Sequence, residues 1–154
     1  MKTKDQLRKK FLNLRKRKYF EVSNDKFNQL INFIKKKYKV KKNFFIALYY
    51  PSNYEINILN IINDLKHPKI TLLLPKVQEG NLLKFYEWNI RDVLIVNKFG
   101  IPEPLKNKKS FLPDVVLVPL LAFDNQKNRL GYGKGFYDRY LNNLTILNKK
   151  IETI

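Results

Sequence analysis

Apolar residues recur along the chain with two periods, one helical and one extended, and their alternation sets the expected order of elements. Between Thr3 and Phe20, Leu7, Phe11 and Leu14 fall at helical spacing and predict a first helix with that seam turned inward. Ser23 is a suitable cap for a second helix, in which Phe27, Leu30, Ile31, Ile34 and Tyr38 share a stripe, and the cations of "KKKYKVKKN" suit its C-terminus. "FFIALYYP" reads as a buried strand ended by Pro51, "YEINILNIINDLK" as a helix, "KITLLLP" as a strand stopped by Pro75, and "LLKFYEW" as a further strand. From Asn89 to Pro113 a short apolar run gives way to Gly100, Pro102, Pro104 and a lysine cluster, which predicts mainly loop. "DVVLVPLLAF" is apolar almost throughout, as expected of one strand covered on both faces. A polar turn, a glycine-rich stretch and a helix from about Phe136 to Asn148 complete the pattern.

Helices alternating with apolar strands predict an α/β fold: three layers, with a mostly parallel central sheet and helices on both faces. The 154 residues suit a single domain, 1–154, and neither an internal repeat nor a linker interrupts it. In such a sheet ligands sit outside the carboxyl ends of the strands, which here means the loops after "FFIALYYP" and "DVVLVPLLAF".

Composition narrows the function classes. A chain that is 44% hydrophobic and 14% aromatic is not a disordered one, and no apolar run approaches the roughly 18 residues of a membrane helix. The N-terminal segment has basic residues but neither a continuous apolar core nor a small-residue cleavage site, so it does not read as a signal peptide. With no cysteine there is no disulfide framework, thiol nucleophile or thiolate metal site, which fits a cytoplasmic protein. The balance of 31 Lys+Arg against 13 Asp+Glu, +18 formally, attracts polyanions: nucleic acid, nucleotide phosphates or a polycarboxylate. Lysine-rich drift across a genome, with its gain in solubility, accounts for such a charge equally well, so charge alone selects no partner.

Three of the five glycines fall in "RLGYGKGFYDRYL", at Gly131, Gly133 and Gly135. Glycine permits positive φ and lets the backbone approach a ligand; successive amides then form an anion nest in front of a helix N-terminus. Phosphate is the natural guest, with Arg129 and Lys134 adding charge and Asp138 able to hold magnesium. A tight packing loop is the competing explanation. Neither the dinucleotide G-x-G-x-x-G nor G-K-[ST] is present. On the first helix, Lys4, Arg8 and Arg15 fall within roughly 40° of one another beside the apolar seam, a stripe that a solvated helix flank also explains.

The stretch "LVPLLAFDNQKNRLGYGKGFYDRYL" resembles the signature of the 5-formyltetrahydrofolate cyclo-ligase family, also called 5,10-methenyltetrahydrofolate synthetases. "KDQLRKK", "LYYPSNYEINI", "LLLPKV" and "FGIPEP" resemble other segments of that family in the same order, so the likeness runs from Lys4 to about Leu141. It implies an enzyme that uses ATP and Mg2+ to convert 5-formyltetrahydrofolate, polyglutamylated or not, into 5,10-methenyltetrahydrofolate. The implied roles are Lys4 and Arg8 on the ATP phosphates, with Arg129, Leu130, Gly131, Tyr132, Gly133, Lys134, Gly135, Phe136 and Tyr137 as the nucleotide loop. Arg129 and Lys134 are the catalytic candidates and Asp138 the metal ligand. Tyr50, Glu55, Tyr86 and Trp88 are the substrate candidates, although Glu55 at a helix start and aromatics on a strand also have plain structural explanations. His67, in a turn, is assigned no role. A cytoplasmic monomer is expected, with no membrane or nucleic-acid partner. The family continues beyond "NKKIETI", so the C-terminal strands are expected to be shortened and "IETI" to lack a partner strand. Two other functions fit the residues: a catalytically inactive folate or nucleotide binder, and a basic nucleic-acid-binding protein.

Overall fold

Thr3 and Gln6 cap each other at the start of the first helix, α1 (Lys4–Arg17): the Gln6 amide donates to Thr3 Oγ1 at 3.3 Å and the Thr3 amide to Gln6 Oε1 at 3.0 Å. Arg15, Lys16 and Arg17 in its last turn face the negative end of the helix dipole. The computed structural model describes residues 3–38, 43–61, 68–147, 149 and 151–154. After α1 come α2 (Asn24–Tyr38), β1 (Phe44–Ala47), β2 (Ile70–Val77), β3 (Leu83–Glu87), β4 (Leu94–Val96), β5 (Pro102–Pro104), β6 (Val115–Val116), β7 (Ala122–Phe123), β8 (Arg129–Leu130), α3 (Phe136–Ile146) and β9 (Glu152–Thr153).

The main sheet has the order β3-β2-β1-β6-β9. β1 pairs parallel with both β2 and β6, β6 pairs parallel with β9, and β3 returns antiparallel to β2. Side-chain alternation along each central strand sorts the core into two halves. Phe44, Ile46 and Leu48 join Leu74, Val115 and Leu117 against Phe27, Ile31 and Ile34 of α2. Ala47, Leu73, Phe85 and Val116 pack against Tyr140 and Leu144 of α3, with Phe45 half-buried beside them. The expected three layers are therefore present, α2 on one face and α3 on the other. Three hydrophobic side chains buried on α2 supply several kcal/mol of transfer free energy, at about 1.5–3 kcal/mol each.

Several elements differ from the pattern expected of the sequence. α1 buries none of its residues; Leu7 and Phe11 are half-covered, and Leu14 is 42% exposed because the helix lies over the site rather than over the core. "DVVLVPLLAF" is not one strand. Pro119 lacks the amide that would continue the ladder, so β6 stops and Ala122–Phe123 pairs instead with Arg129–Leu130 in a separate hairpin. The segment expected as loop contains the β4–β5 hairpin, turned by Gly100 at φ +77°. "IETI" is paired: the Val118 amide donates to the Ile154 carbonyl at 2.8 Å and the Ile154 amide to the Val116 carbonyl at 2.9 Å. Apolar burial beside β6 favours that pairing, and β9 becomes a sheet edge. The helix expected over "YEINILNIINDLK" is represented by a 3-10 turn at Ile58–Ile61. Residues 54–57 form turn and irregular chain rather than helix, and residues 62–66 lie outside the described set, as do His67 and Asn148.

Candidate functional site

A cavity of about 520 Å3 opens at the carboxyl ends of β1 and β6, where a parallel sheet binds its ligands. Its walls come from α1 (Lys4, Arg8), the loop after β1 (Tyr49, Tyr50, Glu55), β2 and β3 (Pro75, Val77, Leu83), the β4–β5 hairpin (Phe99, Glu103), Pro119, and the continuous run Arg129 to Asp138. Every residue named above for nucleotide, catalytic and metal roles lines this one space, together with Tyr50 and Glu55. Tyr86 and Trp88 are not among the lining residues. Both are buried, Trp88 within the α2-side core and Tyr86 under the Lys84 ammonium at 5.9 Å.

The glycine run bends between β8 and α3. Gly133 has φ +97° and Gly135, the residue before α3, has φ +67°, whereas Gly131 does not adopt positive φ. A Cβ on Gly133 would lie 3.2 Å from the Arg8 guanidinium carbon, and Arg8 Nε donates to the Gly131 carbonyl at 3.0 Å. α1 is thus fastened across the loop by its basic stripe. A Cβ on Gly131 would meet no atom within 4 Å, which leaves open space beside its backbone for a ligand. The exposed amides at the start of α3 carry the positive end of its dipole toward the same cavity. Lys134 stands 5.2 Å from the Phe99 ring, which packs on Phe136 at 5.4 Å; the hairpin therefore braces the loop from above. That hairpin is itself locked from within: Glu103 Oε1 accepts from the Val77 amide at 2.9 Å and Asn97 Nδ2 at 2.6 Å, and Lys76 Nζ donates to the Pro104 carbonyl at 2.7 Å.

Glu55 enters from the other side and is 6% exposed. Asn53 and Tyr54 both adopt left-handed backbone, at φ +49° and +62°, and this bend turns Glu55 back to accept from the Ser52 amide at 2.7 Å. Burial raises its carboxyl above the ordinary carboxylate range; the Ser52 amide, the Tyr132 hydroxyl, the Ser52 hydroxyl and the Arg15 charge pull it back down. Tyr49, Tyr132 and Tyr137 are all held neutral, first by burial and then by the Glu55 charge. The Tyr137 hydroxyl is buried and has no hydrogen-bond partner among the described residues.

These groups suit a nucleotide and one magnesium ion. Four side-chain cations, Lys4, Arg8, Arg129 and Lys134, and the glycine-loop amides suit a polyphosphate, and the phenols with the Glu55 carboxylate in the same cavity suit a polar heterocycle. Asp138 is 73% exposed and ion-paired with Arg129, so its carboxylate reaches the cavity already beside a cation. No group of three or more His, Cys, Asp or Glu side chains that could hold a metal occurs among the described residues. A magnesium ion here would share Asp138 with phosphate oxygens, the usual arrangement for that ion.

A sequence profile of the 5-formyltetrahydrofolate cyclo-ligase family matches residues 1–154. The chain belongs to that family. A 5-formyltetrahydrofolate cyclo-ligase of Haemophilus influenzae is 38% identical over 104 residues, which cover 64% of this chain and 56% of the relative. A Mycoplasma pneumoniae cyclo-ligase is 34% identical over 128 residues, 82% of this chain and 67% of the relative. Among solved structures, the Aquifex aeolicus 5,10-methenyltetrahydrofolate synthetase superposes with a TM-score of 0.67 at 32% identity, covering 97% of this chain and 75% of that one. A 5,10-methenyltetrahydrofolate synthetase from Mycoplasma pneumoniae gives 0.65 at 28%, covering 94% and 80%. The α/β fold is shared with these synthetases. The matches to the Haemophilus influenzae and Escherichia coli relatives span 56% and 57% of their length.

Arg15, Phe99 and Glu103 were not singled out for the site by sequence. Arg15 lay on the basic stripe, and the other two lie in "FGIPEP", so a signal existed for each, but nothing local distinguished contact with the loop from exposure to solvent.

Proposed function

We propose that this chain carries out the cyclo-ligase reaction, converting 5-formyltetrahydrofolate to 5,10-methenyltetrahydrofolate with ATP and magnesium and releasing ADP and phosphate. The observation that carries the proposal is the convergence of two chemistries in one cavity: a cationic glycine loop at a helix N-terminus, and a buried carboxylate among phenols. ATP, when bound, supplies the γ-phosphoryl group that makes the formyl oxygen a departing phosphate as N10 closes the ring. Lys4, Arg8 and the loop amides bind and orient the phosphates; Arg129 and Lys134 neutralise charge that builds on transferring oxygens. Asp138 would hold the magnesium, with Arg129 then free to turn toward phosphate. Glu55 accepts hydrogen bonds from the pterin N–H groups, and Tyr50 closes that side. Such transfer depends on positioning and charge neutralisation, which are what these residues offer. The surrounding positive field helps gather ATP and the folate carboxylates, including a polyglutamyl tail.

The test mixes the protein with 5-formyltetrahydrofolate, magnesium and ATP and follows the near-ultraviolet absorbance of the methenyl product against an ATP-free control. ATP-dependent growth is the expected result. A flat trace from folded protein overturns the proposal. Asp138→Asn should demand more magnesium for half-maximal rate, and an unchanged magnesium response removes Asp138 from the site.

A further inference from the structure

Arg139 sits in the first turn of α3, directly after the glycine run, yet it is not among the residues that line the cavity. Its donors go to two backbone carbonyls instead. Nη2 donates to the Lys134 carbonyl at 2.9 Å and to the Asn81 carbonyl at 3.1 Å, and Nε reaches the same Asn81 oxygen at 3.3 Å. Asn81 lies in the turn between β2 and β3, where Gly80 and Asn81 both adopt left-handed backbone at φ +69° and +58°. The guanidinium thus ties the glycine loop to the sheet. α3 holds it in place, because Tyr140 packs edge-on against Phe85 of β3 at 4.9 Å and the guanidinium carbon lies 5.5 Å from the Phe136 ring. A Cβ on Gly135 would stand 2.9 Å from Arg139 Nη1, so glycine at this position admits the guanidinium as well as the positive φ.

A peptide unit is planar and trans, so its carbonyl and the amide of the next residue point opposite ways. By holding the Lys134 carbonyl, Arg139 also fixes the direction of the Gly135 amide on the other edge of that unit. Arg8 acts in the same way at the far end of the run, through the Gly131 carbonyl at 3.0 Å. Lys134 and Gly135 both line the cavity. We propose that Arg139 is a positioning residue: its bridge to Asn81 sets the Lys134–Gly135 peptide in advance, so that the Gly135 amide is ready to donate to a phosphate oxygen while the guanidinium itself touches no nucleotide. This rests on the nucleotide role given to the loop above. A donor fixed beforehand pays no ordering cost when the ligand arrives. Arginine suits the task because its planar fork holds two carbonyls in fixed directions, whereas a lysine ammonium is a point charge on a flexible stem.

The experiment measures 15N relaxation of the Gly135 amide in the unliganded protein and calorimetric binding of Mg-ATP without folate. Arg139→Met should lower the Gly135 order parameter from about 0.85, the value of rigid backbone, to below about 0.6. The Kd for Mg-ATP should rise about three- to tenfold, the worth of one hydrogen bond, while the KM for folate stays within about twofold. Arg139→Lys keeps the charge and loses the fork, so both readouts should stay nearer to Arg139→Met than to the parent. Parental ATP affinity in Arg139→Met, even with a lowered melting temperature, would mark a merely structural contact and overturn the inference. An unchanged Gly135 order parameter would overturn it too, as would full recovery in Arg139→Lys, which would make charge alone sufficient. A parent protein that binds no Mg-ATP would defeat the functional proposal separately, and the order parameter would still decide whether Arg139 sets that peptide.

Discussion

Replacing Gly133 by alanine separates a glycine needed for backbone shape from one needed for ligand access. At φ +97° an alanine is strained by about 1–3 kcal/mol, the usual cost of a sparsely populated backbone region. Its Cβ would also press on the Arg8 guanidinium at 3.2 Å, but that group is the end of a flexible side chain and yields by a few tenths of an ångström. Strain therefore dominates. For a chain of this length, roughly 2–4 °C of melting temperature per kcal/mol gives an expected fall of about 2–12 °C. The displaced Arg8 would loosen its bond to the Gly131 carbonyl, so ATP affinity should fall as well. Gly131→Ala provides the control, because its Cβ meets no atom within 4 Å and its φ is not positive. That variant should melt at or slightly above the parent temperature, through reduced freedom of the unfolded chain, yet bind ATP more weakly because the new methyl occupies the space beside the loop. Differential scanning fluorimetry with and without Mg-ATP measures both quantities. A Gly133→Ala protein with parental melting temperature and parental ATP response would refute the account of the loop.

Arg129→Ala and Lys134→Ala should each lower kcat by about a hundredfold with little change in melting temperature, the loss typical of one transition-state charge contact; full activity in both would remove the phosphate role. Lys76→Met leaves the buried Glu103 carboxylate without its cation, 3.8 Å away in the parent, and should cost about 3–5 kcal/mol, read from urea unfolding. Because burial raises the Glu55 carboxyl, the folded state keeps that proton to higher pH than the unfolded chain does, and the parent loses stability as pH rises from the ordinary 4.5 through the raised value. Glu55→Gln should therefore exceed the parent in melting temperature at neutral pH, with the difference shrinking as pH falls through the raised value toward 4.5 and absent well below it, while folate turnover collapses. An advantage that grows on acidification would contradict the sign.

Helices and strands with one strong period were legible in the sequence. The α2 stripe and the alternation in β1 and β2 appear where expected, because burial on one helix face or on two strand faces writes a local pattern. Errors arose where a local rule met a longer-range one. Apolar residues continue past Pro119, but backbone pairing cannot, so one predicted strand is two short ones in different sheets. The seam on α1 has the right spacing for core, yet the fold places that helix over polar loops, where half-burial is all it finds. Tyr86 and Trp88 illustrate the same limit: an aromatic on a strand looks alike whether it faces a cavity or a core.

By itself the sequence determined the order of most elements, the α/β class and the place of the glycine loop before a helix, since each of these depends on neighbours a few positions apart. Its signature stretch also carried the family resemblance. Only the tertiary structure decided which glycines need positive φ, that Glu55 is buried, and that Arg15 reaches Tyr132 across 117 positions of chain. The physical reason is that burial, pKa shifts and hydrogen bonds between distant groups depend on where folding brings those groups together, and spacing along the chain records none of that.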